Sequence, residues 1–134
     1  MSGLQCVMLV EDDLDIAELA RIGLEDLGGF EFIHFNTGAE ALQGLEAAKP
    51  DFILLDYRMP GMNGAEVLRE IRSRHGFSDK PIAFMTASVM PQHVERLREL
   101  GAADVIAKPF DPLTLADTVR AIYHRACTTE GSPS

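Results

Sequence analysis

The run Phe52-Ile53-Leu54-Leu55 (FILL), closed by Asp56, is a short apolar stretch that ends abruptly on a carboxylate. The same pattern recurs on both sides of it. Cys6-Val10 (CVMLV) is followed by Asp12 and Asp13, Ile82-Met85 (IAFM) by Thr86, and Val105-Ala107 (VIA) by Lys108. Short aliphatic runs separated by helical stretches read as βα units and a parallel sheet. In such a sheet ligands bind outside the carboxyl ends of the strands. Three carboxylates, one hydroxyl and one ammonium therefore converge on one rim, a set able to hold a divalent cation and a phosphoryl group.

Between the runs the chain alternates without an internal repeat. A first helix is predicted from Asp13, with Leu14, Ala17, Leu19, Ala20 and Leu24 as its apolar stripe, ending at Leu27-Gly28-Gly29. Phe30-Phe35 (FEFIHF) alternates as a half-exposed edge strand does. Thr37 and Glu40 have capping-box spacing before Ala41, Leu42 and Leu45. Asn63-Gly64 opens a helix carrying Val67, Leu68 and Ile71, and Pro91 one carrying Val94, Leu97 and Leu100. Asp111-Pro112 offers an N-cap and first helical position for Leu113, Leu115, Val119 and Ile122. The expected fold is a (βα)5 domain over residues 1–126, doubly wound because crossovers are right-handed. Residues 127–134, with TTEGSPS at the end, read as a flexible tail or linker stub.

Composition narrows the class further. A chain of 134 residues with 46% hydrophobic and 25% charged residues is that of one ordinary globular domain. No apolar stretch approaches the ~20 residues that cross a bilayer, so no membrane association is expected. MSGLQCVMLVEDD does not have the form of a secretory signal. Cys6 and Cys127 lack a CxxC partner and read as free thiols, which points to a cytoplasmic setting. The net charge of −9 argues against direct nucleic-acid binding.

Four segments taken together resemble the receiver domain of two-component response regulators. They are Val10-Glu11-Asp12-Asp13, Leu54 through Gly64 (LLDYRMPGMNG), Met85-Thr86-Ala87 and Ala107-Lys108-Pro109-Phe110, and the likeness spans residues 4–125. It implies a flavodoxin-like sheet of order 2-1-3-4-5 with helices on both faces, the order that flavodoxin and the chemotaxis receiver share. It further implies Asp56 as phosphoacceptor, with Thr86 and Lys108 contacting phosphoryl oxygens. Mg²⁺ would be held by Asp13, Asp56 and the backbone carbonyl of Arg58, with Asp12 acting mainly through a coordinated water. The resemblance also implies a cis Lys108-Pro109 bond. The phosphodonor would be a histidine kinase or histidine phosphotransfer protein, docking near Leu14, Asp15, Glu18, Pro109 and Phe110. The downstream protein target is not readable. One position departs from the pattern: Val105 stands where many receivers carry the aromatic half of a threonine-aromatic switch.

Blander readings exist for each residue alone. An aspartate after a strand is commonly a helix N-cap, a reading that suits Asp111 and applies to Asp13 as well. His34, His75, His93 and His124 have no ligand spacing and read as surface or edge residues. Coincidence of all five rim residues is harder to accept than a site. The expectation is a signalling phosphoacceptor that is not an enzyme, either standing alone or part of a longer protein such as a hybrid kinase. A phosphorylation-independent interaction module is the alternative. A flavin-binding domain lacks its phosphate loop after the first strand. An aspartyl phosphatase would want an acid where Arg58 stands.

Overall fold

Successive side chains of a strand point to opposite faces, so an unbroken apolar run needs cover on both. The computed structural model, which describes residues 3–131, shows that cover. Strands β1 (Cys6–Val10), β2 (Glu31–Phe35), β3 (Phe52–Asp56), β4 (Ile82–Thr86) and β5 (Asp104–Ala107) form one parallel sheet in the order β2-β1-β3-β4-β5. Val7, Leu9, Phe52, Leu54, Ala83 and Met85 bury against α1 (Leu14–Arg21) and α5 (Leu115–Gly131). The intervening residues Met8, Val10, Ile53, Leu55, Ile82 and Phe84 bury beneath α2 (Gly38–Ala48), α3 (Gly64–Arg72) and α4 (Pro91–Glu99). The expected doubly wound sheet and its strand order are those observed. β2 is partly exposed along most of its length, as its alternating sequence requires of an edge.

Three local features depart from the sequence reading. α1 does not continue evenly to Gly28: one π-helical turn, Ile22–Asp26, follows it, closed by Leu27 N–H donating to Ile22 O at 2.9 Å. α5 starts at Leu115, not at Pro112. Asp111 accepts Leu113 N–H at 2.9 Å and Thr114 N–H bonds Asp111 O at 3.1 Å, so a separate turn precedes the helix. Leu113, expected inward, is consequently 74% exposed. α5 also runs through Gly131, past the domain end expected at Ala126. Residues 132–134 of the expected tail lie outside the described residues.

The turn after β3 is held from α3. Asn63 accepts Glu66 N–H at 2.9 Å, and Glu66 reaches back to Asn63 N–H at 2.9 Å, a complete capping box. Gly64 then sits against the strand end: a Cβ there would lie 2.6 Å from Asp56 O and 2.8 Å from the Phe84 ring. This absence of a side chain sets how close α3 comes to Asp56. Gly64→Ala should cost about 1–3 kcal/mol of stability, the usual range for overpacking, measured by chemical denaturation. An unchanged midpoint would show that the turn yields freely.

Candidate functional site at the carboxyl ends of the strands

Parallel pairing brings four of the strand ends together. Val10 pairs with Leu55, Asp56 with Met85 and Thr86 with Ala107, so the residues after β1, β3, β4 and β5 are neighbours. Asp56 and Thr86 are each 5% exposed. Lys108 N–H donates to Thr86 O at 2.9 Å, which carries the ladder one step beyond the strands. Thr86 Oγ1 accepts Ser88 N–H at 3.2 Å and Asp56 Oδ1 accepts Arg58 N–H at 3.3 Å. The Lys108-Pro109 bond is cis, as the resemblance implies.

Charge at the site centres on Lys108. Its ammonium lies 2.9 Å from Glu11 Oε1 and 3.0 Å from Asp56 Oδ1. Glu11 is 1% exposed, and burial pushes its carboxyl up to about 7. The Lys108 ammonium opposes that rise, while the nearby Asp56 charge adds to it. Lys108 loses hydration in the cleft, which favours its neutral form, but its bonds to Glu11 and Asp56 outweigh this and raise its pKa.

The structure brings together Glu11, Asp12 and Asp56, whose carboxylate oxygens can all lie within 4.8 Å of one another. Asp13 is not in that group. Its side chain accepts Asp15 N–H at 2.9 Å and Ile16 N–H at 3.2 Å, which makes it the N-cap of α1. Of the acids expected from the sequence to hold a metal, the structure thus groups Asp12 and Asp56 and leaves Asp13 outside. Glu11, which that reading passed over, is the third acid. Its N–H donates to Phe35 O at 3.1 Å and so extends the β1–β2 ladder past Val10. A strand followed one step further would have found it. The donor set, all carboxylate oxygen, suits a hard divalent cation.

The cleft itself measures about 510 Å³ and is lined by Asp56, Tyr57, Arg58, Thr86, Ala87, Ser88, His93 and Lys108. His93 is a second residue the sequence reading placed elsewhere. It belongs to the first turn of α4, and helices that follow parallel strands begin at the strands' carboxyl rim. Its ring meets Tyr57 edge-on at 5.0 Å, and Tyr57 meets Phe84 edge-on at 5.7 Å. Val105 is half-buried against the α2–α4 core. An apolar groove of about 290 Å³ between Ile16, Leu19, Ala87, Pro109 and Phe110 borders Lys108.

Residues 7–120 match the family model for the response regulator receiver domain, and the chain belongs to that family. It is 38% identical over 121 residues to the DNA-binding response regulator MtrA of Mycobacterium tuberculosis (strain ATCC 25618 / H37Rv), an alignment covering 90% of this chain and 51% of MtrA. It is 32% identical to the phosphate regulon transcriptional regulatory protein PhoB of Pseudomonas aeruginosa, covering 89% and 52%. Among solved structures, the chemotaxis protein CheY4 of Vibrio cholerae superposes with a TM-score of 0.83 at 29% identity, covering 90% of this chain and 99% of CheY4. The chain thus spans about half the length of the curated relatives it matches.

These relatives overturn the expectation, drawn from the net charge of −9, that nucleic acid is not a partner. MtrA is by name a DNA-binding regulator. The charge of a receiver domain reports on that domain alone, not on the partners of a protein that contains one. No helix among the described residues is long and apolar enough to cross a membrane.

The raised Glu11 pKa has a definite sign in stability. The folded state holds this proton more tightly than an unfolded chain, whose value is about 4.5. Stability of the metal-free domain should therefore fall as pH rises through the interval from about 4.5 to about 7. Denaturation midpoints in chelator across that interval test it, and Glu11→Gln should flatten the decline. An equal slope in that variant would place the titration elsewhere.

Proposed function

We propose that the chain is a phosphoacceptor whose Asp56 takes a phosphoryl group from a phosphohistidine donor, and that this modification governs binding to a downstream partner. The observation that carries the reading is the buried Asp56 carboxylate held 3.0 Å from the Lys108 ammonium at the floor of an open cleft. An Asp56 oxygen forms the new O–P bond as the donor's P–N bond breaks, and the bonding pair returns to the imidazole. Such a transfer passes through a loose transition state, so positioning and charge stabilisation supply most of the catalysis. Lys108 meets phosphoryl oxygens as a mobile cation, and Thr86 Oγ1 can turn from Ser88 N–H to donate to one of them.

The acidic cluster fits Mg²⁺, with Asp12 and Asp56 as ligands, Glu11 beside them and the Arg58 carbonyl on the same turn as the acceptor. Bound there, Mg²⁺ neutralises the charge that opposes an anion approaching Asp56. Apolar side chains along the groove from Ile16 and Leu19 to Phe110 give a histidine-bearing donor a surface beside Lys108. The chain acts on its own aspartate and not on a separate substrate, which makes it a signalling component in place of an enzyme. Its likeness to MtrA and PhoB favours DNA binding as the output that the phosphorylated domain controls.

Asp56→Asn should abolish the +80 Da adduct formed with acetyl phosphate and Mg²⁺, seen by intact-mass spectrometry, while the domain stays folded. Undiminished labelling would assign the acceptor role to another residue. Metal should act through Asp12 and not Asp13. Millimolar Mg²⁺ should raise the melting temperature of the parent, and Asp12→Ala should erase the rise. Asp13→Ala should instead cost about 1 kcal/mol through the lost cap and keep the Mg²⁺ increment. The reverse pattern would restore Asp13 as the ligand.

A further inference from the structure

Val105 leaves β5 without an aromatic ring at the cleft, and the rings there come from two other elements. Tyr57 directly follows Asp56 and packs edge-on against both Phe84 and His93. His93 lines the cleft together with Asp56, Thr86 and Lys108. Its Nε2 is buried and has no hydrogen-bond partner. Buried polar atoms are nearly always paired, so an unpaired ring nitrogen on a residue that lines the cleft is a bond available to a ligand there once the ring turns toward it.

The helix that carries His93 starts without a side-chain cap and buries few side chains, although Arg98 near its end pairs with Asp104 of β5 at 2.8 Å. Met90 provides no side-chain cap to α4, and Leu97 is its one buried residue. By contrast α3 buries Gly64, Val67, Leu68 and Ile71 and has a full capping box. The first turn of α4 therefore holds fewer buried contacts than the first turn of α3, its chief one being the His93 ring on Tyr57.

We propose that His93 reads the phosphorylation state of Asp56: its Nε2–H donates to a phosphoryl oxygen, directly or through one water, and draws the first turn of α4 toward the cleft. This rests on Asp56 being the phosphoacceptor. A cleft of about 510 Å³ has room for a phosphoryl group and water together, since one water takes about 30 Å³ of liquid volume. Thr86 and Lys108 remain available for the other oxygens. Because Tyr57 packs on both rings, movement of the imidazole changes the packing over Phe84 and so reaches the core beneath α3 and α4. His93 is a positioning residue for α4.

The test uses the full chain, treated with acetyl phosphate and Mg²⁺ and compared at matched Asp56 occupancy fixed by mass spectrometry. Heteronuclear NMR follows the His93 imidazole nitrogens and the α4 amides. In the parent, phosphorylation should shift the Nε2 resonance and the amides from Gln92 to Glu95. In His93→Ala those amide shifts should fall severalfold, and His93→Gln, which retains an N–H donor, should restore most of them. An unmoved imidazole in the phosphorylated parent, or parent-sized α4 shifts in His93→Ala, would overturn the sensing role and leave Asp56 as acceptor. A parent that takes up no phosphoryl group on Asp56 would overturn both.

Discussion

Two carboxylates held on one ammonium at the end of a buried sheet set the terms for everything around them. Glu11 and Asp56 are almost completely buried and repel each other, and Lys108 bridges them at 2.9 and 3.0 Å. Such a charge cluster is stable only where geometry is fixed, because removing one member leaves its partners uncompensated in a poorly solvated place. The parallel ladder fixes that geometry. β1 and β3 are adjacent, so their acids meet, and β5 lies two strands from β3, so only a side chain as long as lysine spans back to Asp56. The three carboxylates outnumber the one ammonium, and the raised Glu11 pKa registers its burial first and the Asp56 charge after it.

The backbone around this cluster is arranged to keep Asp56 in place. Gly64 lets α3 approach the Asp56 carbonyl closely, and the Asn63–Glu66 box starts that helix without fraying. Tyr57 N–H donates to Met85 O at 3.0 Å, and Gly64 N–H to Tyr57 O at 3.0 Å. Asp56 is therefore anchored from both the strand before it and the turn after it. The opposite side of the cleft is different. α4 has one buried side chain and no capping side chain, so stability around the rim is uneven.

Much of this was legible in the residue order. Apolar runs without alternation, each closed by a polar residue, define a parallel sheet and its functional rim, and the fold follows them closely. Strand order was not carried by the runs themselves; it came with the family resemblance. Asp13 and Glu11 show where pattern reading errs. Two adjacent aspartates look like a pair, but the residue beginning a helix has amide donors to satisfy, and Asp13 does so at Asp15 and Ile16. Glu11 was quoted within the motif but given no role because the apolar run stops at Val10, whereas the hydrogen-bond ladder does not. His93 escaped notice for a different reason: a lone histidine on a helix has no motif, and only the crossover geometry brings the first turn of α4 to the rim.

The valine on β5 and the uncapped first turn of α4 belong to one problem. A receiver must turn a change at Asp56 into a change at a surface, and a transition between two arrangements needs a group with different contacts in each. Where β5 offers an aromatic ring, its rotation can serve. Val105 is branched at Cβ, short and half-buried against the α2–α4 core, and it carries no ring whose rotation could serve. Thr86 can turn its hydroxyl, but that movement ends at Ser88 unless another side chain follows it. The groups at the cleft that have both a free bonding site and a movable support are on α4. An imidazole that gains a bond it lacks in the resting state supplies the differential contact, and a helix with one fully buried side chain, anchored at its far end by the Arg98–Asp104 pair, leaves its first turn to respond. The absence of a β5 ring and the uncapped first turn of α4 are then two halves of one arrangement, in which the moving part is that turn and the ring on it, not a ring on the strand.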